Sequence, residues 1–484
     1  MKLIIAIYAA AAALLLPANI QAQVDDTKRY DMAQRENNRS FSPLPGRRQS
    51  GLLPASSFAG VPQDISGKGV KVWSLQECID YANEHNLDVK MRQAGIDRQE
   101  VVLNTARNRR LPDLSANASH SFSFGRSASG YDNTYQDRNS RSTQWSAATS
   151  VPVFTGFQIN NEIAVAKLDL QAVAAELEKA KEDMEITVTT SYLQILYYRE
   201  MLEIAGKQAG LSREQLERIK KMYDNGRASE AQIYEVEAQL ANDELSVVQA
   251  ASDLQMAILN LTQLLELPTP EGFDVEEPAD DVSFILVRKP DIIFETALTT
   301  RASVRAEEFR LKSREKNIDL ARGAYYPTLS FGAGYGNNYY AINGFDNTSF
   351  SEQLKNNRNE YFGLTLRIPL FDRFVTRNNV RSAKLNMYLQ ELQLENTKKS
   401  LYKEIQQAYY NAVTSGEKYK SSEAAYKSAE KAFGYMQEKL NNGRATMYEY
   451  NDSKTGMTRA LSNRTQAKYD FILRKRILEF YERQ

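Results

Sequence analysis

The sequence predicts a membrane β-barrel joined to long α-helical coiled coils, built twice in tandem. Three observations predict it. Four segments of about ten residues alternate apolar with small or polar side chains, two stretches of roughly 65 residues carry no proline, and the whole pattern recurs about 215 residues on. A ten-residue strand with one apolar face is the unit of a transmembrane barrel. Proline-free runs dominated by Ala, Leu, Glu, Lys and Gln have the composition of long coiled-coil helices.

The repeat is read from paired markers. "RRLPDLSANASHSF" from Arg109 resembles "AYYPTLSFGAGYG" from Ala324, and "TSVPVFTGFQINNEIAVAKLDL" from Thr149 matches "LRIPLFDRFVTRNNVRSAKLNM" from Leu366. Pro112 pairs with Pro327, Pro152 with Pro369 and Gly226 with Gly443, at offsets of 215, 217 and 217. Residues 73–285 and 286–484 are therefore expected to be two copies of one unit. Ahead of them, Lys2, the apolar run 4–16 and "ANIQAQ" read as a signal peptide over residues 1–22. Its apolar core, about a dozen residues, is too short to span a bilayer as a helix. No cysteine stands directly after the cleavage point, so no lipid anchor is expected. Residues 23–72, rich in Ser, Pro, Gly and Arg, read as a disordered leader.

Each half opens with a helix, 75–109 and 297–324, and each ends ahead of a proline that cannot continue it. A hairpin over 113–154 follows. Leu114, Ala116, Ala118, His120, Phe122 and Phe124 alternate with serines and Asn117, and Trp145, Ala147, Thr149, Val151 and Val153 alternate with Ser146, Ala148 and Ser150. The second hairpin, 328–371, sets Leu329, Phe331, Ala333 and Tyr335 against Ser330, Gly332, Gly334 and Gly336. Its other strand sets Phe362, Leu364, Leu366, Ile368 and Leu370 against Tyr361, Gly363, Thr365 and Arg367. A soluble sandwich would need about seven strands. Only four are read here, and the rest is helical. Lipid offers no partner to an open strand edge, and about eight strands are the practical minimum for closure. The chain must therefore oligomerise: a dimer brings about 8 strands and a trimer about 12, the latter wide enough for a water-filled lumen lined by Ser and Gly.

Long helices are expected over 157–223 and 374–441, each about 100 Å at 1.5 Å per residue. Return helices follow over 230–265 and from 448 onward. Such apolar stripes need copies from other subunits to pack against. The tips between them are "DNGRAS" at 224–229 and "NNGRAT" at 441–446. Asn225–Gly226 and Asn442–Gly443 read as left-handed caps that stop the outgoing helices. Ser229 with Gln232, and Thr446 with Glu449, read as capping boxes that start the return helices.

Composition excludes several classes. The chain carries 61 basic and 61 acidic residues, and removal of the signal peptide deletes Lys2 to leave about −1. That balance offers nucleic acid nothing to bind. Cys78 is the only cysteine, so an intrachain disulfide is impossible. The only histidines, His85 and His120, fall on different elements, which leaves no metal cluster or His-based triad. The glycines of "GAGYG" at 332–336 alternate along a strand and no phosphate-loop lysine follows. No catalytic, cofactor-binding or metal-ligating residue is assigned, and no enzyme activity is expected. An exported chain without helical anchor or disulfide fits the periplasm or outer membrane of a Gram-negative cell.

The sequence resembles the TolC-like outer-membrane factor family over nearly all of the mature chain. The resemblance rests on "WSLQECIDYANEHNLDVK", "ARGAYYPTLS", the strand exits "VPVFTGF" and "IPLFDRF", and the two glycine–arginine tips. It implies a homotrimer whose 12-stranded barrel sits in the outer membrane and continues into a 12-helix periplasmic tunnel. It implies the exit duct of a tripartite efflux pump or type I secretion system, fed by a periplasmic adaptor and an inner-membrane RND or ABC transporter. It further implies a closed aperture lined by carboxylates at the tips. Asp452 matches the family's acidic spacing, Glu449 stands in with a longer side chain, and Gln232 and Glu235 take the corresponding places in the first tip. In a trimer such residues form a ring of like charge. Gly226, Arg227, Gly443 and Arg444 are expected at the tip turns and adaptor contact, with the arginines as exposed donors or as dipole caps. Trp145 is expected at the membrane interface, where aromatic side chains concentrate.

Overall fold

The computed structural model describes residues 71–128, 135–137, 139–277 and 288–483. The signal peptide over 1–22, the leader as far as residue 70 and the boundary between halves at 285/286 lie outside the described residues. In chain order the first half holds β1 (Lys71–Trp73), α1 (Leu75–His85), α2 (Leu87–Asn108), β2 (Asp113–Ser123), β3 (Arg126–Ala128), β4 (Tyr135–Asp137), β5 (Ser140–Thr155), α3 (Gln158–Asp224), α4 (Glu230–Leu264) and β6 (Phe273–Val275). The second half holds α5 (Pro290–Thr300), α6 (Ala302–Arg322), β7 (Thr328–Ile342), α7 (Phe350–Asn356), β8 (Asn359–Arg367), α8 (Val375–Asn441) and α9 (Met447–Glu482).

Three readings from the sequence are corrected. Lys71 and Val72, placed in the leader, belong to β1, which pairs in parallel with β6. The short pairs β1–β6 and β3–β4 add strands that three-residue segments could not announce by alternation. The opening helix of each half is two helices rather than one. Asn86 breaks the first pair with extended backbone (φ −60°, ψ 136°), closing α1 and capping α2 by accepting from the Asp88 amide. Arg301 breaks the second pair in the same way (φ −68°, ψ 127°). Both breaks are fastened to the end of a return helix. Asn86 Nδ2 donates to Leu264 O at 3.0 Å, and the Arg301 guanidinium donates to Phe480 O. A single extended residue barely disturbs helical periodicity; Asn86 carries a local capping signal, whereas Arg301 carries none.

The membrane sheet has the order β2–β5–β7–β8, antiparallel throughout. Its register gathers one kind of side chain on each face. Leu114 opposes Thr149, which opposes Ala333, which opposes Phe362. On the other face Ser115 opposes Ala148, then Gly334, then Tyr361. A slip by one residue would exchange the faces, which is why alternation specifies register so strongly. The register shifts between Pro152 and Phe154, so Phe154 rather than Val153 opposes Leu329 on the apolar face. β8 ends at Arg367, which leaves Ile368 and Leu370 beyond the strand, next to Pro369. Each outer strand, β2 and β8, has a partner on one side only.

Two cores lie midway along the long helices, one per half. Val188, Tyr192 and Ile195 of α3 pack with Ile79, Leu261 and Val275, and Ile405 and Ala412 of α8 pack with Ile293, Val304 and Leu478. The Tyr192 hydroxyl shares its one proton between Trp73 O and Glu276 O, fastening the β1–β6 pair to α3. Cys78 is fully buried in the first core, and burial pushes its thiol up to about 12. The cysteine acts as a small apolar side chain.

Strand turns into long helix through two consecutive left-handed residues in each half: Gly156 and Phe157 (φ 61° and 63°), then Arg373 and Phe374 (φ 57° and 63°). Arg373 shows that this backbone does not by itself demand glycine. Gly156 is required by proximity, because a Cβ there would stand 2.3 Å from the Gly323 carbonyl oxygen and 2.9 Å from Tyr326 Cβ.

Gly156→Ala should lower stability by about 1–3 kcal/mol through overpacking against Gly323, read as a fall in thermal midpoint, whereas Arg373→Gly at the matching position should be tolerated. At pH 8 a maleimide should label Cys78 only after denaturation, because the folded thiol is both enclosed and protonated. Labelling of the folded protein within minutes would contradict the packing.

Candidate functional site

The two tips are built identically from the backbone upward. α3 ends in a Schellman motif, with the Gly226 amide on Tyr223 O and the Arg227 amide on Met222 O, both at 2.8 Å. α8 ends in the same way, with Gly443 on Leu440 O at 3.1 Å and Arg444 on Lys439 O at 2.8 Å. Only the glycines are left-handed (φ 71° and 66°), and Asn225 and Asn442 stay at negative φ. The asparagines instead fold their side-chain amides back onto Lys221 O and Glu438 O. The arginine side chains are exposed and free of hydrogen bonds or ion pairs within the chain. Arg227 borders an open cleft with Glu214, Glu217, Arg218 and Lys221.

Return helices start from capping boxes. The Ser229 amide donates to Gln232 Oε1 at 3.0 Å. At the second tip the Thr446 amide and hydroxyl both donate to Glu449 Oε2 at 2.8 Å, and the Glu449 amide donates back to Thr446 Oγ1 at 3.2 Å. These hydrogen bonds from Thr446 hold the Glu449 carboxyl below the usual range. Asp452, one turn further along the same exposed face, makes no hydrogen bond or ion pair in the chain. Gln232 and Glu235 hold the matching exposed places on α4. Of the four, Glu449 and Gln232 are engaged in helix capping, and Asp452 and Glu235 are free. Tyr450 between the acidic pair is buried against Phe433 at 5.4 Å between ring centroids.

Trp145 is the first large apolar residue on the outward face of β5. Above it on that face lie Arg141, Thr143 and His120, with His120 Nδ1 2.7 Å from Thr143 Oγ1. Below it come Leu114, Val151, Phe331 and Leu364. The far end is closed by a second aromatic group, in which Phe154 stacks edge-on against Phe157, Phe157 against Tyr326 and Phe371 against Phe374. From Trp145 to Phe154, about 3.4 Å per residue tilted by about 40° gives a band of about 23 Å, the height of a lipid-facing girdle.

One cluster was missed from the sequence. Asp243 and Lys454, which the sequence reading does not single out, are 3% and 2% exposed and lie 2.9 Å apart. Burial raises the Asp243 carboxyl, but hydrogen bonds from Ser212, Lys454 and Gln208 together outweigh it and hold the group low. A signal existed: Val236, Leu240 and Asp243 follow heptad spacing on α4, so the aspartate occupies an apolar position. Among the described residues, no group of three or more His, Cys, Asp or Glu could hold a metal ion, and no helix is long and apolar enough to cross a membrane.

Known proteins share this fold. The chain is 21% identical to outer membrane protein TolC of Vibrio cholerae, over 83% of this chain and 89% of that protein. It is 20% identical to outer membrane protein TolC of Escherichia coli, over 83% and 80%. The CmeC outer membrane channel of Campylobacter jejuni superposes with a TM-score of 0.72 over 91% of this chain and 94% of that one, at 15% identity. The open state of the Neisseria gonorrhoeae MtrE outer membrane channel superposes at 0.66 over 91% and 98%, at 18% identity. The fold is therefore that of an outer-membrane channel. The model of the family described as outer membrane efflux protein matches residues 78–266 and 293–477, one span in each repeat. The chain belongs to the outer membrane efflux protein family, and its function is that of an efflux duct in the outer membrane.

Proposed function

We propose that three copies close their sheets into one barrel of about 12 strands and gather α3, α4, α8 and α9 into a periplasmic tunnel of about 12 helices. The observation that carries this reading is the sheet itself: four strands, an apolar outward face and an unpaired edge on each side. In lipid those edges must meet strands of other copies. Ser, Gly and Thr on the opposite face suit a water-filled lumen of the wider, trimeric barrel.

The tips then lie at the inner end of the tunnel, in the periplasm of a Gram-negative cell. Asp452 and Glu235, free in each chain, supply the acidic lining of the aperture, with Glu449 and Gln232 behind them as caps. Arg227 and Arg444 are free donors for a periplasmic adaptor, which couples the duct to an inner-membrane RND or ABC transporter. The duct conducts passively, and the driving energy belongs to the transporter.

Single-channel recording of the purified protein in a planar bilayer tests this. The wild type should conduct with a preference for cations, and Asp452→Asn should lower the cation-to-anion permeability ratio roughly threefold by removing one charge per copy from the ring. Unchanged selectivity in that variant would remove Asp452 from the pore. Thr446→Ala should weaken the second tip by about 1 kcal/mol through loss of the cap, seen as faster proteolysis near residue 446 while selectivity is retained. Chemical cross-linking in detergent should end at a trimer; a ladder ending at a dimer would overturn the 12-stranded barrel.

A further inference from the structure

The α3–α9 seam joins the first repeat to the second over the half of the helices nearest the tips. Polar rungs cross it. From the tip upward, Gln215 Nε2 reaches Met447 Sδ at 3.0 Å, and Glu200 accepts from Thr465 at 2.9 Å and Lys468 at 3.0 Å; beside the seam Arg218 donates to Asn441 Oδ1 at the end of α8. Between them sits the buried pair. Lys454 Nζ spends all three protons, on Gln208 O at 3.1 Å, Ser212 Oγ at 2.5 Å and Asp243 Oδ2 at 2.9 Å. Asp243 also accepts from Ser212 Oγ at 2.5 Å and from Gln208 and Gln239 Nε2 at 2.9 Å each. No donor of the ammonium is left over.

The surroundings make this network selective for one alignment. Toward the tip lie Leu216, Ile219 and Val236, and away from it Met201 and Ile204. Sliding α9 by one helical turn, about 5.4 Å, would carry the ammonium off its three acceptors into one of these apolar stretches. Side-chain interlocking is weak just above the pair, where the small residues Thr458 and Ser462 leave a cavity of about 360 Å³ against Met201, Ile204 and Ala250. The network also belongs to this seam alone. At the repeat offset of 217, Glu237 matches Lys454, while Ala460, Ala429 and Ala425 match Asp243, Ser212 and Gln208.

We propose that Lys454 and Asp243 are positioning residues: their buried pair sets the axial register of the second tip hairpin against the first. Asp452 precedes Lys454 by two residues on the same helix, so the pin sets the height of the acidic residues directly. That last step rests on the aperture reading above; the register itself does not.

The test uses the full-length protein with Gln215→Cys and Met447→Cys, whose side chains touch across the seam, and with Cys78 left buried. Lys454→Met strands the Asp243 charge and should sharply reduce the folded yield. Lys454→Met with Asp243→Leu should recover folding, since two apolar groups replace a buried ion pair at little cost. Disulfide formation between positions 215 and 447 should nevertheless fall roughly threefold or more, because the ion pair that remains on the seam, Glu200 with Lys468, is only partly buried and selects the alignment less strongly. Asp243→Asn, which keeps the shape but leaves the buried ammonium without its counter-charge, is the milder arm, and its disulfide formation should also fall, though by less. Full cross-linking in a folded double variant, or in Asp243→Asn should the double variant fail to fold, overturns the proposal. Cation selectivity recorded on the same variants separates the two readings: reduced cross-linking with unchanged selectivity upholds the register pin and removes Glu449 and Asp452 from the aperture.

Discussion

A strand edge in lipid has nothing to hydrogen-bond with, and the rest of this molecule follows from that. The sheet β2–β5–β7–β8 satisfies its interior but leaves one row of amides and carbonyls on each flank. One chain cannot close it, so the membrane part forces assembly. Assembly then explains the helices. Apolar side chains such as Leu385, Leu389 and Leu392 on α8 and Leu245 and Val248 on α4 are exposed in a single chain. They are stripes awaiting neighbours, as the strand edges are.

The duplication solves each construction problem twice, with different residues. Strand passes to helix through two left-handed residues in both halves, once with glycine and once with Arg373. The helix breaks are tied to the return helices by Asn86 in one half and Arg301 in the other. The helices stop in the same Schellman turn at Gly226 and Gly443. What is shared is backbone geometry and what varies is the side chain that satisfies it. The halves diverge where they meet each other, since the buried Lys454–Asp243 pair has no counterpart at the matching positions.

That pair also illustrates how a coiled coil chooses an alignment. Apolar stripes attract along their whole length and tolerate sliding by a turn. A buried charge tolerates none, because desolvation of an unpaired ion costs several kcal/mol. Large knobs can supply the same selectivity, but Thr458 and Ser462 are small. Specificity in this stretch is therefore electrostatic. The acidic residues of the second tip inherit their position from it.

The sequence by itself determined the elements whose signals are local. Alternation over Leu114–Phe122 marks a strand and its faces; Gly226 with Ser229, and Gly443 with Thr446, mark turns, since caps act within a few residues. Proline-free heptads mark the long helices, and the repeated markers show that there are two of each. The tertiary structure decided the rest. The breaks at Asn86 and Arg301 interrupt the periodicity by one residue; Asn86 is a local capping signal, but Arg301 is explained only by a carbonyl near the far end of its return helix. The capping role of Glu449 is written in four residues, but the freedom of Asp452 beside it emerges only once its neighbours are placed. Asp243 and Lys454 lie 211 residues apart, and nothing in the sequence near either residue pairs it with the other. Hydrogen-bonding periodicity is a property of neighbours along the chain, whereas burial depends on what the fold brings from elsewhere.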